Sequence, residues 1–273
     1  MSNINLDTLQ LAAYIGSFVF FCTTLGSGFV FFFKNSTKPI YIQASMGFSA
    51  GIMIAASIFS LIIPALDASP FDGNLKCVPV MIGFTLGALF LIAIDKSLPH
   101  LHLNSKVPEG PKSRLRRHVL LFLALTIHNI PEGMALGVSA AATNLHTSTI
   151  ASTCVLALGI GIQNMPEGAA ISLPFFAGGV SRFKAFILGS MSGIVEPIAA
   201  ILVVVLSDIL SPLLPWFLAF AAGAMLYVVV EELIPQSHSR YDNDDDEPHS
   251  DVGTVSVLIG FLLMMFLDTT LGA

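Results

Sequence analysis

Long apolar runs alternate with short polar stretches along the whole chain. Eight runs stand out, at residues 8–33, 41–66, 78–98, 118–142, 148–176, 184–207, 213–236 and 252–272. A helix needs about 20 apolar residues to cross a hydrocarbon core, and each run is long enough. Glycine and serine recur inside the runs, as in Gly47-Phe48-Ser49-Ala50-Gly51 and Gly189-Ser190-Met191-Ser192-Gly193. Small residues of this kind let helices pack closely in lipid. Only Thr143 to Thr147 separates the fourth run from the fifth, so these two are expected to form a tight antiparallel hairpin.

Composition supports a membrane class. Of 273 residues, 54% are hydrophobic and 11% charged, whereas a soluble domain carries about 25% charged residues. The mean hydropathy is +0.81. The pattern predicts an all-α, multi-pass membrane protein of eight transmembrane helices in one polytopic domain spanning residues 1–273. The formal net charge of −6 says little about partners, because Asp242 to Asp251 supplies much of it. Nucleic acid is not an expected partner. Cys22, Cys77 and Cys154 show no paired or metal-type spacing. No basic region precedes the first run, so it is expected to stay as a span and not to be cleaved.

Basic residues orient the spans. Those following spans one, three, five and seven are Lys34 and Lys38; Lys96, Lys106, Lys112, Arg114, Arg116 and Arg117; Arg182 and Lys184; and Arg240. The opposite side holds only Lys76. Positive charge stays on the cytoplasmic side. Both termini are therefore expected to be extracytoplasmic, with residues 99–117 forming a cytoplasmic loop and 237–251 an acidic one. The second loop reads as a solvated connector, with metal collection as the alternative. Lys112 to Arg117 reads as an anchor near anionic lipid.

The fourth and fifth spans carry near-identical polar motifs: His128-Asn129-Ile130-Pro131-Glu132-Gly133 and Gln163-Asn164-Met165-Pro166-Glu167-Gly168. The first and fifth positions of each motif share one helix face, one turn apart. On antiparallel spans this suggests a pseudo-two-fold axis in the membrane plane, a common transporter device. Pro131 and Pro166 lack an N–H, so each span is expected to be loosened there. A further carboxylate, Glu196, lies mid-span in Ser192-Gly193-Ile194-Val195-Glu196-Pro197. Polar groups at membrane depth are costly without a task. One imidazole, three carboxylates and several amide oxygens suit Zn²⁺, Fe²⁺ or Mn²⁺ better than Cu⁺. The competing reading is structural, with protonated glutamates hydrogen-bonding neighbouring helices.

Paired HNxPEG and QNxPEG motifs, GxxEP in the sixth span, Ala50-Gly51-Ile52-Met53 in the second and Glu231-Glu232-Leu233-Ile234-Pro235 in the seventh resemble the ZIP family of divalent-metal transporters, close to its GufA-type branch. The resemblance covers nearly the whole chain. It implies a binuclear site near the midplane. His128, Glu132, Gln163 and Glu167 would hold one ion. Asn129, Glu132, Asn164, Glu167 and Glu196 would hold the other, with the glutamates of the fourth and fifth spans bridging. Some members carry aspartate where this chain has Asn164, which puts the second ion in doubt. The resemblance also implies an elevator-like carrier in which spans one, four, five and six move.

Asp95, His100 and His102 near the end of span three, with Glu231 and Glu232 near the end of span seven, are candidates for a cytoplasmic exit path. Met53 is a candidate for the outer entrance. The expected function is transport of a divalent transition metal into the cytoplasm, most simply zinc, with iron, manganese or cadmium as alternatives. The metal is substrate, and no catalytic cofactor is expected. Partners are the metal ion and the lipid bilayer, with a homodimer left open and the plasma membrane as the default location. A metal-selective channel is the nearest rival. A membrane-embedded zinc hydrolase or a metal sensor lies further away, since no HExxH and no nucleophile–base pair is present.

Overall fold

A computed structural model describes residues 6–32, 39–97, 117–144, 149–177, 179–206, 213–238 and 251–271. All regular structure among these residues is helical. Helix α1 is Leu6–Ser27 and ends in a 3₁₀ turn, Gly28–Phe31. Helix α2, Pro39–Ala56, runs through a π-helical turn, Ser57–Ile62, into α3, Ile63–Asp67. Then come α4, Val78–Ser97, α5, Arg117–Asn144, and α6, Ile150–Ala177. Helix α7, Arg182–Ser192, is followed directly by α8, Val195–Val205. Helix α9, Leu214–Val228, runs through a second π-helical turn, Val229–Leu233, into α10, Ile234–Ser237, and α11 is Val252–Leu271.

Seven of these stretches are long and apolar enough to cross a membrane: Leu6–Phe31, Gln43–Asp67, Gly73–Ser97, Ile150–Leu173, Arg182–Val205, Leu214–Ser237 and Val252–Leu271. They make the chain an integral, multi-pass membrane protein. The expected fourth span corresponds to α5, which has 28 residues and ample length.

The irregular turns have local causes. Pro64 cannot donate to the carbonyl of Ser60, nor Pro235 to that of Glu231. Each π-helical turn ends two residues before one of these prolines and absorbs the missing bond. The sixth run breaks at Gly193-Ile194 because Pro197 leaves the Gly193 carbonyl without its usual donor; Glu196 N bonds it instead, at 3.1 Å. By contrast, α5 and α6 run unbroken through Pro131 and Pro166, where loosening was expected.

The helices pack most extensively within two groups. One joins α1, α5, α6, α7 and α8; the other joins α2, α4, α9 and α11. Backbones meet where glycine allows. A Cβ at Gly26 would strike the Met165 carbonyl, and one at Gly168 would strike that of Thr23, so α1 and α6 touch main chain to main chain around the second polar motif. Gly133 holds α5 equally close to Glu196 of α8. These approaches bring the polar residues of three spans to one place.

Candidate metal centre

His128, Asn129 and Glu132 enter from α5, Gln163, Asn164 and Glu167 from α6, and Glu196 from the first turn of α8. All seven are at least 98% buried. His128 Nε2 lies 3.6 Å from Glu132 Oε1 and 3.8 Å from Glu167 Oε1. One ligand atom each from His128, Glu132 and Glu167 fall within 4.8 Å of one another, a spacing that a single ion can bridge. Gln163 Nε2 donates to Glu132 Oε1 at 2.7 Å, which turns its own oxygen away from that bond. Asn164 Nδ2 donates to Glu196 Oε1 at 2.6 Å and to Thr23 Oγ1 at 3.1 Å. Asn129 Nδ2 donates to the Ser192 carbonyl at 3.2 Å, the acceptor released by the break between α7 and α8.

What remains is a set of acceptors. Glu132 Oε2, Gln163 Oε1, Asn164 Oδ1, both oxygens of Glu167 and Glu196 Oε2 are buried without a hydrogen-bond partner among the described residues, as is His128 Nε2. Buried polar atoms are almost always paired. With Nδ1–H given to Glu232 Oε2 at 3.4 Å, the Nε2 atom of His128 presents a lone pair to the two glutamates. Seven unpartnered acceptors in one buried cluster suit a cation.

The flanking residues divide. Glu232 was expected on the exit path, yet it is 6% exposed and bonds His128 directly, with Gln236 Nε2 donating to its other oxygen at 3.1 Å. Asp95 accepts from Tyr227 Oη at 2.8 Å. Asp95, Tyr227, Glu231, Glu232 and His128 line one pocket with Leu91, Ile127 and Val228. Met53 is fully buried in the main apolar core. His100 and His102 lie outside the described residues. Thr23 and Tyr227 were not singled out in the sequence, and Ser49 was read only as a small residue for helix packing. Thr23 and Ser49 sit in glycine- and alanine-rich runs where a hydroxyl usually bonds its own helix, and nothing local marks these as different. Ser49 Oγ donates across to the Gln163 carbonyl at 3.2 Å.

Comparison with known proteins identifies the family. The family profile described as ZIP Zinc transporter matches residues 104–268. Zinc transporter ZIP11 of Homo sapiens is 33% identical over 92% of this chain and 94% of its own length. Zinc transporter GufA of Myxococcus xanthus is 39% identical over 83% of this chain and 86% of its own. Zinc transporter ZIPB of Bordetella bronchiseptica is 39% identical over 84% and 72%. Placed beside the buried His/Glu/Gln cluster, these matches show that the chain belongs to the ZIP family of metal transporters, with its GufA-type members.

Proposed function

We propose that the chain carries zinc into the cytoplasm through the buried cluster, with His128, Glu132, Gln163 and Glu167 as the ligands of the transported ion. It is a divalent-metal transporter by family and not an enzyme. The observation that carries the choice of site is the convergence of unpartnered, buried acceptors from α5, α6 and α8. Zinc is favoured by the names of the relatives and by the mixed imidazole and carboxylate ligands. Iron, manganese and cadmium compete for the same ligand set. Asn129, Asn164 and Glu196 are buried in the same cluster.

In this reading α5 is the fourth of eight spans, both termini are extracytoplasmic, and residues 99–117 and 237–251 are cytoplasmic loops. The hydrogen bonds Glu132–Gln163 and Ser139–Thr153 support antiparallel α5 and α6, since partners fall in sequence on one helix as they rise on the other. A cysteine placed at position 110 is expected to react with an impermeant maleimide from the cytoplasmic face alone; labelling from outside overturns the layout.

The ion leaves past His128 into the pocket lined by Asp95, Glu231 and Glu232, and the exit-path role of His100 and His102 rests on their place in the sequence alone. Met53 shares one face of α2 with Ser49, which reaches Gln163, and this supports placing it on the entrance side. The two helix groups support an elevator-like carrier: α1 and α5 to α8 hold the cluster, and α2, α4, α9 and α11 form the frame. Purified protein in liposomes is then expected to take up Zn²⁺ with saturable kinetics. Uptake that stays linear with concentration at high flux would favour a channel. The plasma membrane is the proposed location.

A further inference from the structure

We infer that Tyr227 is a positioning residue for the release step: its hydroxyl holds Asp95 back from the departing ion, so that the pocket beside His128 passes the ion on and does not trap it. The inference rests on the transport site and exit proposed above and concerns how fast an ion leaves.

The pocket is small and rich in carboxylates. Its cavity of about 20 Å³ has room for one water-sized occupant. Asp95 reaches it from α4, Tyr227 from α9, Glu231 and Glu232 from the π-helical turn that follows, and His128 from α5. Three carboxylates around so small a space would hold a divalent ion firmly, because such ions favour oxygen ligands of high charge. A carrier needs the reverse at its exit, a stop weak enough to leave. Two of the three carboxylates are engaged by donors. Glu232 accepts from Gln236 Nε2 at 3.1 Å and faces His128 Nδ1 at 3.4 Å. Asp95 Oδ2 accepts from Tyr227 Oη at 2.8 Å. The third, Glu231, is exposed, where water competes for the ion. A hydrogen bond to a charged acceptor is about twice as strong as a neutral one. An ion approaching that oxygen of Asp95 must first displace the phenol.

Helix packing sets this pair. Helices α4 and α9 run parallel, since their points of contact rise together. A Cβ at Gly83 would strike the Trp216 carbonyl, one at Gly87 that of Phe220, and one at Gly223 that of Phe84. The rings of Phe90 and Phe220 meet at 5.3 Å. About two helical turns beyond Gly87 and Phe220, the same register puts Asp95 against Tyr227. With the two backbones touching above them, neither residue is free to drift from the other. Both belong to the group formed by α2, α4, α9 and α11, whereas His128 belongs to the group that holds the cluster. An ion brought on His128 therefore meets an Asp95 that is already engaged within the opposite group. The phenol adds no charge of its own, and phenylalanine would fill its place without the donor.

The test separates release from folding. Zn²⁺ uptake into proteoliposomes is measured over a range of concentrations for the full-length wild type, Tyr227→Phe, Asp95→Asn and the two substitutions together. Tyr227→Phe is expected to lower the maximal rate about 10-fold, a ratio that one hydrogen bond to a charged group supports. It is expected to lower the half-saturating concentration as well, since a carrier that empties slowly fills at lower supply. Asp95→Asn is expected to be faster than Tyr227→Phe, and the double variant to match Asp95→Asn, because without the carboxylate the hydroxyl has nothing to restrain. A purely structural role for Tyr227 predicts a lower maximal rate at an unchanged half-saturating concentration, and no rescue. An unchanged maximal rate in Tyr227→Phe, a fall without the lower half-saturating concentration, or a double variant no faster than Tyr227→Phe each overturns the inference while leaving the transport site standing. No saturable uptake by the wild type removes both the inference and the site on which it rests.

Discussion

Glu167→Ala is expected to lower zinc uptake by about two orders of magnitude or more while leaving the folded protein as stable as the wild type, or more so. Both carboxylate oxygens of Glu167 are buried without a hydrogen-bond partner among the described residues, and His128 Nε2 stands 3.8 Å away. A buried carboxylate held this way destabilises the fold in the absence of a cation, because its hydration has been lost and little replaces it. Removing it relieves that burden. It also removes one of the three groups able to surround an ion, so hydration can no longer be exchanged for protein ligands. A structural role predicts the opposite pairing. If Glu167 were glue between helices, alanine would lower the melting temperature in detergent and transport would fall only as folding failed. Uptake assayed beside thermal stability separates the two. The same variant at Glu132 is expected to lose uptake as fully but to lose some stability as well, since Glu132 accepts the Gln163 amide at 2.7 Å.

Glu232→Ala is expected to weaken zinc binding about 10- to 100-fold, the usual range when the partner of a metal-bound histidine is removed. Glu232 Oε2 meets His128 Nδ1 at 3.4 Å and so selects the tautomer that points the Nε2 lone pair at the glutamates. Glu232→Gln keeps an acceptor there and is expected to lose less. A residue acting only along the exit path would leave equilibrium affinity unchanged and alter the rate of release. Equilibrium zinc competition on the two variants therefore distinguishes a positioning role from an exit role.

Much of this could be read in the sequence because helices in lipid follow simple rules. Run length marked the helices, and the four-residue spacing within HNxPEG and QNxPEG put His128 with Glu132 and Gln163 with Glu167 on shared faces. Glu196 was found because a carboxylate in an apolar run needs a reason. What escaped was rotation and irregularity. The π-helical turn Val229–Leu233 carries one residue more than an α-turn, which rotates the helix face by ~100°. That rotation sets Glu232 against His128 and leaves its neighbour Glu231 exposed. Run length and periodicity do not reveal it, although Pro64 and Pro235 mark where each such turn lies. Thr23 escaped for a related reason. Its meeting with Asn164 depends on α1 and α6 touching backbone to backbone through Gly26 and Gly168, a pairing between distant segments that neither segment announces.

The central claim is that one buried cluster is the path of the metal. It is tested most directly by Zn²⁺ uptake into proteoliposomes made with the wild type or with His128→Ala plus Glu132→Ala, at equal amounts of monodisperse protein. Saturable uptake by the wild type and none above empty liposomes by the double variant is the predicted result. Uptake by the double variant at the wild-type rate would contradict the account, because the ion would then be crossing by a route that avoids these ligands.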